Sequence, residues 1–249
     1  MTILAPPERR TLEVMGTVVS LAIRGRHTAD GRADEAWAEA VEVLEEADRV
    51  FSTYRADSPA AQWARGERAL TSCPPELAEV VALAERAKDA SDGAFDIGYA
   101  GGPADPSGVV KGWAVQRAAD VLAELPETDF CLSAGGDLVC RTVRPEAGPW
   151  RIGIEDPRDL RRVLATVPVR NGAVATSGTA QRGSHIVDPR TGRPPGDLLQ
   201  VTVLGPDLTW ADIEATAAFV LGRQARPWLL ARRRTAVIVP VHGDPEVVG

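Results

Sequence analysis

Asp212 and Thr216, in the segment Thr209-Trp-Ala-Asp-Ile-Glu-Ala-Thr-Ala-Ala-Phe219, stand four residues apart. On a helix that spacing stacks two oxygen side chains on one face. Hard divalent cations such as Mg²⁺ take oxygen ligands of this kind and fill their remaining positions with water or substrate phosphate. A competing use is local: Thr209-x-x-Asp212 also has the form of a capping box, which would stabilise the start of the helix with no ligand involved.

A second source of chemistry is the glycine- and proline-rich stretch from 91 to 112, SDGAFDIGYAGGPADPSGVVKG. Exposed amides, the start of the next helix and the ammonium of Lys111 together suit a phosphate cradle, although neither GxxxxGK[ST] nor GxGxxG is present. Such a stretch also serves as a plain turn. His185 precedes Ile186-Val187-Asp188-Pro189-Arg190-Thr191-Gly192. An imidazole there could accept a proton or orient a phosphate, or simply close a strand. Thr176 and Ser177, in ATSG (175–178), offer two hydroxyls on what reads as a lining loop and match no nucleophile elbow. Tyr54 sits in a polar context, FSTYRADS, that suggests partial exposure of its ring. His27 and His242 fall in polar stretches and are given no role.

The elements that must position these residues follow from periodicity and punctuation. Residues 12–24 read as one strand bent at Met15-Gly16-Thr17. Helices are expected over 33–51, over 75–90 behind Ser72 and two prolines, over 109–125 with Lys111 in its first turn, over 209–221 and, briefly, over 226–233. Between them 130–143 reads as strand, Gly135-Gly136-Asp137 turn, strand, and further strands are expected at 150–154, 163–169, 185–187, 200–204 and 235–241. No repeat or low-complexity linker interrupts the pattern.

Composition narrows the partners. The 249 residues are 44% hydrophobic and 25% charged, with a formal charge of −7, which argues against nucleic acid or an anionic membrane surface as the main partner. Cys73, Cys131 and Cys140 lack metal-ligand spacing and read as small buried hydrophobes in a reducing compartment. No window suits a signal sequence, a lipid anchor or a membrane span, so a cytoplasmic location is expected.

Taken in order, MGT (15–17), FSTYRADS (51–58), DGAFD (92–96), SGVVKG (107–112), AGGD (134–137), WRIGIEDP (150–157), ATSG (175–178), HIVDPRTG (185–192) and ADIEAT (211–216) resemble the ApbE family of flavin transferases from Met15 to about residue 222. The resemblance implies one α+β, T-fold-related domain over 1–249, with the first 11 residues flexible, a β-rich body, flanking helices and a nucleotide cleft. It also implies FAD as substrate and Mg²⁺ against the pyrophosphate. By position, Met15, Tyr54, Ala94, Phe95, Asp96, Asp105 and Lys111 would contact the flavin nucleotide. Thr176, Ser177, His185 and Ile186 would line its site. Asp212 and Thr216 would bind the metal, with the Gly108 carbonyl as third ligand. The activity implied is transfer of FMN from FAD to a threonine of an acceptor protein, with release of AMP. Lys111 would support the phosphates and His185 would take the hydroxyl proton or hold the nucleophile. The chain departs from the family pattern in lacking an Asn shortly after Ser58, in carrying Gln116 where an Asp is common, and in its short GTAQRG stretch (178–183). Three alternatives stand beside transfer: Mg²⁺-dependent hydrolysis of FAD to FMN and AMP, non-catalytic FAD binding, and a relative in fold alone.

Overall fold

The computed structural model of the chain describes residues 7–28, 30–98, 103–180, 183 and 185–249. Strands β1 (Glu8–Val14) and β2 (Thr17–Gly25) form an antiparallel hairpin with Val14 opposite Thr17. The two residues between them, Met15 and Gly16, have φ of 52° and 66°, the left-handed pair that a tight hairpin turn needs. A Cβ on Gly16 would meet nothing within 4 Å, so this glycine answers a backbone angle rather than a close approach. The bent strand expected over 12–24 is therefore two strands, and residues 8–11, expected to be flexible, pair with β2.

Helix α1 (Gly31–Phe51) starts where Asp30 accepts the amides of Arg32 and Ala33, and it buries Ala40, Leu44 and Ala47 on one face. A short α2 (Pro59–Ala64), not foreseen in the sequence, is capped by Ser58. α3 (Pro75–Ala90) opens on proline without a side-chain cap, while Ser72 closes a 3₁₀ turn, Leu70–Ser72. α4 (Ser107–Leu122) begins earlier than expected: residues 107–112 belong to the helix rather than to the loop, and Lys111 falls in its second turn.

The second half supplies β3 (Thr128–Ala134), β4 (Asp137–Arg141), β5 (Trp150–Asp156), β6 (Asp159–Val169), β7 (Gly172–Gly178) and β8 (Leu198–Gly205). There follow α5 (Leu208–Leu221), α6 (Ala225–Ala231), β9 (Thr235–Pro240) and β10 (Glu246–Val248). Eight strands form one antiparallel sheet in the order β1-β2-β3-β4-β7-β8-β9-β10, and β5-β6 pair separately. Residues 185–187, expected as a strand, are a connection beside an isolated bridge between Asp188 and Arg193.

Strand alternation assigns the two faces of the sheet. Phe130 and Leu132, Ala173 and Ala175, and Ala236 and Ile238 pack into the helical layer. Between them Val174 faces a cluster with Trp150 and Ile152, while Val237 and Val239 face Ile154 and Leu164. The β5-β6 hairpin thus covers the face that the helices leave bare. α5 lies under α4 and against β7 and β8, and buries residues all round its axis. A helix enclosed on every side has to be built mainly from small and apolar residues, so a carboxylate on it needs a specific reason. Among the described residues no helix is long and apolar enough to cross a membrane.

Candidate active site

The start of α5 is capped by Asp207, whose carboxylate accepts the Trp210 amide at 3.0 Å. Asp212 is therefore not needed as a cap, and the capping-box use of Thr209 and Asp212 is not what the structure shows. Asp212 is 4% exposed and points toward α4. A Cβ at Gly112 would lie 2.9 Å from the Asp212 Cβ and 2.9 Å from the Leu208 carbonyl oxygen; glycine at this position lets the two helices approach. One residue earlier, Lys111 reaches into the contact, its Nζ 3.3 Å from each carboxylate oxygen of Asp212 and directly against Oδ2 of Asp137.

Asp137, read from the sequence only as part of a turn, belongs to this site. Backbone pairing of β4 with β7 ends at Leu138–Val174. The fully buried Asp137 extends that link with its side chain, Oδ1 accepting the Thr176 amide at 2.8 Å. Thr176 and Ser177 lie within β7, not on the lining loop expected. The Ser177 and Thr216 hydroxyls are 2.9 Å apart, as are those of Thr176 and Thr202. A closed circuit results, from β7 through Asp137, Lys111, Asp212 and α5 to Thr216, and back through Ser177.

The circuit holds two carboxylates and one ammonium in a poorly solvated place, and Oδ2 of Asp137 and Oδ2 of Asp212 are both buried without a hydrogen bond. Excess negative charge with an unsatisfied oxygen is costly unless a further positive group joins it. Among the described residues no group of three or more His, Cys, Asp or Glu is gathered to hold a metal. The donors present, one carboxylate and one hydroxyl a helical turn apart, suit a hard cation that completes its shell with water or phosphate oxygen.

Above the circuit opens a cleft of about 520 Å³, lined by every residue singled out from the sequence: Met15, Tyr54, Ala94, Phe95, Asp96, Asp105, Gly108, Lys111, Thr176, Ser177, His185, Ile186, Asp212 and Thr216. Its volume is in the range of small-molecule sites. Phe95 and Ala94 are buried, whereas Tyr54 is 95% exposed at the mouth. At Gly108 a Cβ would sit 3.3 Å from Phe95 Cζ, so α4 packs closely on that ring. Burial pushes the Asp96 carboxyl up, but the Lys88 ammonium at 2.8 Å and the Gly98 amide outweigh it and hold the group below its ordinary value. Asp188 is likewise held low, chiefly by Arg190, which braces the turn after His185. The exposed His185 ring contacts the Gly183 carbonyl through Nδ1 at 3.0 Å. A carbonyl can only accept, so Nδ1 is the donor in this contact.

Gly135, Gly136, Glu155, Leu160 and Gln200 also line the cleft, Glu155 and Leu160 from the β5-β6 hairpin. Gln116 lies outside it: Oε1 accepts the Leu208 amide and Nε2 donates to Asp120, both at 2.8 Å, so this departure ties α4 to the start of α5. The stretch after Ser58, which lacks the Asn common in the family, forms α2. Within the GTAQRG stretch, residues 181 and 182 lie outside the described residues. Of the cysteines only Cys140 is buried; Cys73 and Cys131 are half-buried.

The ApbE family model matches residues 15–104 and 100–239. This chain belongs to the ApbE family. The match continues past residue 222, where the sequence resemblance stopped. Curated relatives include the FAD:protein FMN transferases of Salmonella typhimurium, 35% identical over 136 residues (49% of this chain, 39% of that protein), and of Vibrio cholerae, 35% identical over 150 residues (56% and 45%). The matches to these relatives span less than half of their length. Among solved structures, the flavin transferase ApbE from Vibrio cholerae aligns with a TM-score of 0.83 at 24% identity, covering 98% of both chains. The ApbE protein of Thermotoga maritima aligns at 0.85 and 22%, covering 97% of both. These likenesses establish an α+β ApbE fold.

Proposed function

We propose that this chain transfers FMN from FAD to a threonine hydroxyl of an acceptor protein, with Mg²⁺ and release of AMP. The observation that carries the reading is the buried Oδ2 of Asp212, without a hydrogen bond and 3.3 Å from the Lys111 ammonium, one helical turn from the Thr216 hydroxyl, at the floor of a cleft in a family whose named relatives are FAD:protein FMN transferases. Asp212 and Thr216 would hold the cation, with the Gly108 carbonyl completing the protein ligands. Bound there, Mg²⁺ neutralises charge on the pyrophosphate oxygens.

The chain's own groups do the remainder. Lys111 holds the phosphates as a point charge, and Met15, Ala94, Phe95, Asp96, Asp105 and Ile186 shape the walls around the nucleotide. The open ring of Tyr54 offers a stacking face at the mouth. The acceptor hydroxyl attacks the phosphorus on the FMN side; a new P–O bond forms, the pyrophosphate P–O bond breaks, and AMP leaves with the bridging oxygen. The hydroxyl proton passes to Nε2 of His185, the nitrogen left free by the Gly183 contact.

The test is to incubate the protein with FAD and a threonine-containing acceptor domain, with and without Mg²⁺, and weigh the acceptor. An Mg²⁺-dependent gain of one FMN is expected. Free FMN and AMP without an adduct would replace transfer by hydrolysis, and intact FAD would leave a binding protein.

A further inference from the structure

We infer that Asp137 is a positioning residue for the cation site: it holds the Lys111 ammonium away from Asp212, so that Oδ2 of Asp212 stays open to a divalent ion. The inference rests on the Mg²⁺ part of the proposed function and extends it to a residue outside the ligand set.

The geometry is asymmetric. Lys111 Nζ stands 3.3 Å from both oxygens of Asp212, the outer limit of a hydrogen bond, yet lies directly against Asp137. Asp137 cannot follow the ammonium elsewhere, because its Oδ1 is fixed to the Thr176 amide and the residue is fully buried at the end of the Gly135-Gly136 turn. Lys111 is the mobile member, on a flexible stem and a quarter exposed. With Asp137 charged, the ammonium has a fixed partner and stays 3.3 Å from Asp212, whose Oδ2, like that of Asp137, is buried without a hydrogen bond. If Asp137 carried no charge, the same stem would let the ammonium close onto Asp212 and occupy the place of the cation. Asp137 would then control metal affinity through Lys111, without touching the metal.

Asp137→Asn removes the charge and keeps an amide oxygen for the Thr176 N–H, which preserves the strand link. Binding of Mg²⁺ alone, without FAD, is measured by calorimetry for the wild-type chain, Asp137→Asn, Lys111→Met and the double variant, with Asp212→Ala as the control that lacks the site. The expected result is a roughly tenfold weaker Mg²⁺ affinity for Asp137→Asn in the wild-type background, within the usual range of coupling between contacting residues. In the Lys111→Met background the same substitution should have almost no effect, since there is no ammonium to misplace. An equal loss in both backgrounds would overturn the proposal in favour of a direct electrostatic effect, while leaving the Mg²⁺ site standing. No loss in either would overturn it as well. Absence of binding by the wild-type chain, or undiminished binding by Asp212→Ala, would remove the Mg²⁺ reading and this proposal with it. Should Asp137→Asn fail to fold, Asp137→Ser, which keeps a hydroxyl acceptor for Thr176, repeats the comparison.

Discussion

His185 is the group whose role separates binding from chemistry. Its Nδ1 contact with Gly183 leaves Nε2 free for the proposed role of base, and its exposure gives it little part in packing. His185→Ala should lower the rate of FMN transfer on the order of 10²-fold with FAD affinity unchanged; an equal loss of both, by steady-state kinetics and FAD titration, would make the ring a structural element. Asp96 allows a test of sign. Its folded carboxyl sits below the ordinary value of 3.8, so its contribution to stability is fully present above that value and is lost as pH falls through the lower folded value. The thermal midpoint of wild type minus that of Asp96→Asn should be level from about pH 5 to 8 and shrink below about pH 4. The difference should also be small, because Lys88 is half exposed and solvent screens the pair.

The contact between α4 and α5 decides whether the site exists. Gly112→Ala would place a methyl 2.9 Å from both the Leu208 carbonyl and the Asp212 Cβ, and neither can yield without moving α5. It should destabilise the chain by about 1 to 3 kcal/mol, measured by denaturant unfolding, and should weaken Mg²⁺-dependent turnover further by displacing Asp212. Retained stability and activity would show that the helices part at no cost. This contact also marks where sequence reading stopped. Asp212 and Thr216 were recognisable because one helix carries both and local spacing fixes their common face. That Asp212 is not a cap was not recognisable, since it required knowing that Asp207, at the residue before the helix, already supplies the cap.

Across the molecule, a ligand that binds only the folded chain must raise its thermal midpoint. FAD with Mg²⁺ at about a hundred times its dissociation constant should add about 2.7 kcal/mol, or roughly 5 to 10 °C for a chain of this size; no shift would argue that the cleft does not take FAD. Helices α1, α3 and α5 and most strands were legible because periods of 3.6 and 2 are local properties of a chain that buries one face. The ordered motifs likewise carried the family and the residues of the cleft. Other features were not local. The β1-β2 turn needed the backbone angles of Met15 and Gly16, and the β5-β6 hairpin could be placed only once the sheet had a face to cover. Asp137 read as a turn residue because its partners, the Thr176 amide 39 residues onward and the Lys111 ammonium before it, become neighbours only when β4, β7 and α4 pack. The sequence therefore sufficed for the chemistry that neighbouring positions on one element can express. The charge balance around Asp212 depends on groups as far as 101 residues apart, whose distances are set only by the packing of helix on sheet.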